Sequence, residues 1–386
     1  MPSKPVTLLC GFLGAGKTTL LRHLLAQNTG ERWALVVNDV GATNMDARTL
    51  GASLDAQPNP GSELVELGNG CVCCAIKDDL AETLCRLGVN PRFDRILVET
   101  TGVAEPRGLA QLFLQRNPFG RSVSDFARLE SVLTVVDAAD FLRRWRARDT
   151  SPATPGAPKP LLELLLEQVE HADAILVNKG DLVPPQDLDF LLNVLSGLNP
   201  RADSLTTEQG QAPLEWVLGR QRFAPKESLS SARWIQDLNA VAPALPGNQA
   251  ATGKPTALRT TPVHTTQYGL RSFVYQERRP FHQERLLALF EAGLPGIVRA
   301  KGFCWFQQRP DEMAFVSIAG GATYLQWLNY WWASLIESGK ASLEERPPMI
   351  RALWKDPMGD RRQEIVFIGT DYDEAAVRRS LEACLL

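Results

Sequence analysis

Short apolar runs and stretches of helical periodicity take turns along the first two thirds of the chain. Val6–Cys10 is mostly apolar, and Leu20, Leu21, Leu24 and Leu25 then recur on one helix face. The pattern predicts strands at Val6–Cys10, Ala34–Asn38, Glu63–Leu67, Ile96–Glu99, Val132–Asp137 and Ala174–Asn178, and a helix over Thr19–Gln27. Such alternation reads as βαβ units, hence an α/β fold with a mostly parallel sheet covered on both faces. Pro152, Pro155, Pro158 and Pro160 mark Arg148–Pro160 as an insertion. A second break, at 242–255, divides a domain over 1–241 from one over 256–386. Beyond it the pattern changes. Strands are expected at Tyr268–Tyr275, Ile297–Phe306, Met313–Ile318, Ala322–Trp327 and Glu364–Ile368, with amphipathic helices at Phe281–Ala292 and Glu374–Leu385. That is a smaller α+β domain, an antiparallel sheet with helices on one side. Trp305, Trp327, Trp331, Trp332 and Trp354 fall within it, a density that suits a core or an interface.

Composition excludes more than it proposes. The chain has 386 residues and a net charge of −3, without a long basic run, so no nucleic-acid footprint is expected. The apolar stretches are short, Leu161–Val169 being broken by Glu163 and Glu167, so no membrane span is expected. No signal-peptide layout precedes the first motif, and seven cysteines, three of them clustered, argue against a disulfide framework and for the cytoplasm.

The segment Gly11-Phe12-Leu13-Gly14-Ala15-Gly16-Lys17-Thr18 fits G-x-x-x-x-G-K-[ST] at every fixed position. Gly11, Gly14, Ala15 and Gly16 would turn backbone N–H groups toward a phosphate. Lys17 would reach the β- and γ-oxygens, Thr18 would join the shell of a Mg²⁺ ion, and Thr19 continues into the helix whose N-terminus faces the anion. A chance glycine-rich turn would not be expected to have both a strand before it and a helix after it.

Two further motifs complete a nucleotide site. Asn178-Lys179-Gly180-Asp181 follows an apolar strand and has the N-K-x-D form that reads guanine. The Asp181 carboxylate can accept from both N–H groups of guanine's Watson–Crick edge, while Asn178 and Lys179 brace the base and the phosphate loop. The bland alternative is a solvated turn. The run from Phe93 ends in Glu99-Thr100-Thr101-Gly102. Glu99 would hold the Mg²⁺ shell through water or orient a water molecule, and the Gly102 N–H would contact the γ-phosphate. No Gln follows Gly102, so slow intrinsic hydrolysis is expected. Otherwise Glu99 merely caps a strand.

Gly68-Asn69-Gly70-Cys71-Val72-Cys73-Cys74 is the distinctive feature. In a regular element Cys73 and Cys74 would diverge, so a convergent triad with Cys71 requires irregular backbone, which Gly68 and Gly70 permit. A helix is expected from about Asp78, its N-terminus lowering the thiol pKa values. Three thiolates suit Zn²⁺ or Cu⁺, and Co²⁺ less well, and an open three-ligand site suits a metal that is handed on. The alternative is three inert thiols packed in a turn. Cys10, Cys85, Cys304 and Cys384 sit in apolar contexts and read as core. His23 and His171 read as structural, and His264 and His282 flank the first strand of the second domain.

With these residues in hand, the chain resembles the CobW-type P-loop GTPases. The resemblance rests on GFLGAGKTTLL from Gly11, GNGCVCC from Gly68, LVETTGVAEP from Leu97, TVVDA from Thr134 and NKGDL from Asn178. In the second domain SFVYQERRPFH from Ser272, RAKGFCWF from Arg299 and GDRRQEIVFIG from Gly359 are similar to a bacterial, YciC-like, zinc-linked branch. The resemblance implies GTP hydrolysis with Mg²⁺, a transition metal (zinc, with cobalt or iron as alternatives) held at C-x-C-C, and delivery to a client metalloprotein through the C-terminal domain. A nucleotide-gated metal sensor that transfers no metal is the competing reading. The oligomeric state stays open. Two departures stand out: Ala42 occupies a position where relatives carry an acid, with Asp39 or Asp46 as substitutes, and no histidine-rich stretch is present.

Overall fold

The computed structural model describes residues 3–37, 61–66, 73–117, 120–147, 161–225, 228, 270–319 and 322–386. Its contacts divide the chain into two units, Met1–Arg143 with Leu164–Ala232, and Arg144–Glu163 with Arg233–Leu386. The expected insertion at 148–160 and linker at 242–255 lie outside the described residues.

The first unit holds strands β1 (Lys4–Cys10), β2 (Trp33–Val37), β3 (Glu63–Glu66), β4 (Arg95–Glu99), β5 (Ala127–Asp137), β6 (Ala174–Asn178) and β7 (Asp203–Thr206). They form one sheet in the order β3-β2-β4-β1-β5-β6-β7, every pairing parallel. Alternate residues feed opposite cores. Val6, Leu8 and Cys10 of β1 pack with Leu80, Leu84 and Leu87 of the helix Cys73–Val89. Leu9, Leu35, Leu97 and Leu133 pack with Leu20, Leu21, Leu24 and Leu25 of the helix Lys17–Gln27. Burial on both faces is why these strands read as unbroken apolar runs. The chain leaves β1 in both directions, toward β4 and β2 on one side and β5 and β6 on the other. The carboxyl end of β1 is therefore the topological switch point, where such sheets bind ligands.

Several elements depart from expectation, and those with a clear physical reason are these. The helix expected from Asp78 begins at Cys73, because nothing in Cys73-Cys74-Ala75-Ile76-Lys77 breaks a helix. Strand β5 begins at Ala127 rather than Val132: Arg128 and Glu130 interrupt the apolar run, yet Glu130 is buried and ion-paired with Arg95. Strand β7 went unseen, its four residues being largely exposed and polar.

The second unit holds β8 (Leu270–Glu277), β9 (Ile297–Phe306), β10 (Arg309–Ala319), β11 (Ala322–Tyr330) and β12 (Gln363–Thr370), in the order β11-β10-β9-β12-β8. All pairings are antiparallel. One face is the core: Phe273, Phe306, Val316 and Phe367 pack with Leu286 and Phe290 of the helix Gln283–Ala292 and Val377 and Leu381 of the helix Glu374–Glu382. Of the tryptophans expected there, Trp305 and Trp331 are buried. The other face of β9 carries two charges, followed by Phe303 and Trp305. Arg299 and Lys301, both buried, pair with the buried carboxylate of Glu163, which also accepts from Ser317 Oγ at 2.9 Å. Burial alone would push the Glu163 carboxyl up; Arg299 and then Lys301 outweigh it and hold it well below the usual carboxylate range.

Candidate functional site

The chemistry of the first unit gathers where its parallel strands end. After β1 the chain turns through Gly11, Gly14 and Gly16 at φ values of 137°, 74° and 105°, which side chains resist. Space forbids a side chain as well. A Cβ on Gly11 would lie 2.3 Å from Val135 O, and one on Gly16 would lie 2.3 Å from Asn178 Nδ2. Gly16 is the left-handed residue before the helix Lys17–Gln27. Lys17 is buried, its ammonium donating to the carbonyls of Gly11 at 2.9 Å and Phe12 at 3.2 Å. Ala15 is buried and Thr19 exposed.

Strand β4 brings Glu99 beside this loop. Thr18 Oγ1 donates to Glu99 Oε1 at 2.8 Å, although the two residues are 81 positions apart. Glu99 is buried, and Leu9 is its register partner. Thr100 Oγ1 and N both donate to Leu9 O, at 3.1 and 3.0 Å. Gly102 then passes so close to the phosphate loop that a Cβ would lie 2.5 Å from Leu13 N.

Strand β6 brings Asn178. Its Nδ2 donates to Ala15 O at 2.9 Å and its Oδ1 accepts from Gly210 N at 2.9 Å, so one side chain joins the phosphate loop to the loop after β7. Lys179 takes a left-handed conformation, φ 59°, and its ammonium lies 2.6 Å from Asp137 Oδ2 at the end of β5. Asp181 stands exposed in the turn Gly180–Leu182. Lys17, Thr18, Glu99, Gly102, Asn178 and Lys179 thus come from separate strand ends to one edge.

Two family models match the chain. The CobW/HypB/UreG nucleotide-binding domain covers residues 5–206, and the cobalamin synthesis protein cobW C-terminal domain covers 270–385. The chain belongs to the CobW/HypB/UreG family of P-loop GTPases. This CobW-family protein is 31% identical over 398 residues to the zinc-regulated GTPase metalloprotein activator 1 of Dictyostelium discoideum, covering 99% of this chain and 80% of that protein. It is 32% identical to the zinc chaperone CobW of Pseudomonas aeruginosa over 56% of this chain and 59% of that one. For the zinc chaperone YjiA of Escherichia coli the figures are 29%, 59% and 65%. Zn(II)-bound YjiA GTPase is a structural neighbour across both whole chains at 20% identity, with a TM-score of 0.41, too slight a likeness to carry an argument.

Of the proposed metal ligands, Cys73 and Cys74 are the first two residues of their helix. Cys71, the side chains of Cys73 and Cys74, Ala42, Asp39, Asp46 and His264 lie outside the described residues. The other cysteines stay protonated: burial pushes the Cys10 thiol up to about 11, and raises Cys85, Cys304 and Cys384 as well. Among the described residues no helix is long and apolar enough to cross a membrane.

Two contributors escaped the motifs. Asp137 was visible only within TVVDA, and the Thr207–Gly210 loop follows a strand without an apolar run.

Proposed function

We propose that this protein hydrolyses GTP and uses the cycle to bind and hand on a transition-metal ion, zinc first, held by Cys71, Cys73 and Cys74, to a client metalloprotein. The observation that supports this most is the Thr18–Glu99 hydrogen bond. It sets a hydroxyl and a carboxylate side by side at the phosphate loop, an all-oxygen donor pair that suits Mg²⁺. The glycine cradle, which a Cβ would fill, suits a phosphate chain. Bound Mg²⁺ would neutralise charge on the β- and γ-phosphates, held by Thr18 and, through water, by Glu99.

The residues divide the work. Gly14, Ala15 and Gly16 offer N–H groups to the β-phosphate, and Lys17 leaves the Gly11 and Phe12 carbonyls for phosphate oxygens. Asp181 reads the guanine edge, while Asn178 fixes the loop beneath. Gly102 senses the γ-phosphate. Val103, exposed and apolar, follows it in place of a side chain that could orient water, so slow intrinsic turnover is expected. Metal is cargo. The cysteine segment lies between β3 and β4 in the chain, and relatives bear the names zinc chaperone and zinc-regulated activator. Client binding through the C-terminal unit and action in the cytoplasm belong to the same reading.

The test is an anaerobic titration of Zn²⁺ and Co²⁺ into the parent and the C71S/C73S/C74S variant, with GTP turnover followed. The parent should bind about one equivalent tightly and the variant at least ~100-fold more weakly. Equal binding by both would end the cargo reading. Turnover stimulated by a metal-accepting client, with metal loss, separates a chaperone from a sensor.

A further inference from the structure

The loop after Glu99 is held from a second side. Leu165, Leu166 and Val169 of the helix Leu161–Glu170 are buried in the first unit, and Gln168 lies among them, 1% exposed. Gln168 Nε2 donates to Gly102 O at 3.0 Å and to Ala104 O at 3.2 Å. The Gln168 carbonyl accepts from Thr134 Oγ1 at 2.8 Å, which ties that helical turn to β5. Two carbonyls converging on one atom fix the amide orientation, since the reverse orientation would bring three acceptors together. Gln168 Oε1 is buried and has no hydrogen-bond partner among the described residues. A Met or Leu would fill the same volume without stranding an acceptor, so packing alone does not call for this amide. On its other side Gly102 abuts Leu13 of the phosphate loop.

We propose that Gln168 is a positioning residue of the nucleotide switch. Its amide holds the Gly102–Val103 and Ala104–Glu105 peptides so that Gly102 stays against the phosphate loop, ready for the γ-phosphate. Gln168 touches neither nucleotide nor metal; its effect runs through those two carbonyls. The inference rests on Gly102 being the γ-phosphate sensor, as in the proposed function.

The test uses the full chain, as the parent, Q168M and Q168E, with GDP and a non-hydrolysable GTP analogue titrated in the presence of Mg²⁺ and GTP turnover measured alongside. Q168M should bind the analogue about tenfold more weakly, leave GDP affinity within about twofold, and lower kcat by about tenfold, because only the γ-phosphate contact is lost. A buried carboxyl has a raised pKa and donates only when protonated, so Q168E should regain preference for the analogue as pH falls from about 8 to about 6, whereas Q168M should not. Equal losses of GDP and analogue affinity would mean a packing role and overturn the inference. Should Q168M fail to fold, Q168E decides alone, and absence of acid rescue overturns the inference. A parent that hydrolyses GTP while both variants match it overturns the inference alone. A parent that does not hydrolyse GTP removes the proposed function and the inference together.

Discussion

The two sheets bury charge in different places. In the first unit both faces of the sheet are mainly apolar, and apart from the Arg95–Glu130 ion pair the buried Lys17, Glu99 and Asn178 gather at the carboxyl edge where strands end. In the second unit Arg299 and Lys301 lie within β9 itself, closed over by Glu163. Groups at the carboxyl edge of a parallel sheet lie where such folds bind ligands, with Gly11, Gly16 and Gly102 close-packed beside them, so they are placed to exchange protein partners for a ligand. The charges on β9 have no such exit. The Glu163 carboxylate and the Ser317 hydroxyl are among their partners, and their role is structural. A buried polar side chain is therefore informative about function only with its position: at a strand end it is poised, within a strand it is spent.

The largest effect should come from breaking the spent cluster. Glu163→Gln leaves Arg299 and Lys301 buried with a weaker partner, and should cost about 3–5 kcal/mol of stability by chemical denaturation. A loss under about 1 kcal/mol would mean that water reaches the cluster. Next comes the poised edge. Lys17→Ala should weaken GTP and GDP by at least about 100-fold while changing the melting temperature far less, because its ammonium, which donates to the Gly11 and Phe12 carbonyls, is the group that would meet the phosphate charge. Asn178→Ala belongs to both classes. It loses its bonds to Ala15 and Gly210, and should cost about 1–3 kcal/mol and about tenfold in nucleotide affinity together.

Acid sharpens the same comparison. The Glu163 carboxyl is held below its unfolded value, so its stabilisation is complete above the ordinary carboxylate range and is lost as pH falls from about 4.5 downward. An acid-unfolding curve should steepen there in the parent and flatten in Glu163→Gln. The smallest effect is expected at Arg32 and Asp94, an ion pair left 44% and 40% exposed. Arg32→Ala should leave both the melting temperature and nucleotide binding nearly unchanged.

How much was legible in the sequence follows from the same distinction. The phosphate loop could be read because its chemistry demands glycine at fixed spacing, and Gly11 and Gly16 do sit where a Cβ cannot. The parallel sheet could be read because burial on both faces writes each strand as an apolar run. Strand β7 could not, since an edge strand with exposed side chains needs none. Glu163 was read only as a break in a hydrophobic stretch, because its partners Arg299 and Lys301 lie more than 130 positions away. Gln168 was missed for a similar reason: a single amide on an apolar helix face announces nothing until the carbonyls of Gly102 and Ala104 are found beside it. The early start of the helix at Cys73 shows the opposite error, in which reactive side chains drew attention from a backbone that simply prefers helix.

The most direct measurement is the zinc dissociation constant of one preparation in three forms, empty, GDP-bound and bound to a non-hydrolysable GTP analogue with Mg²⁺, by competition with a chelator. The account predicts a difference of at least about tenfold between the two nucleotide forms, mirrored by an equal change in nucleotide affinity when zinc is added. Identical zinc affinity in all three forms would contradict it.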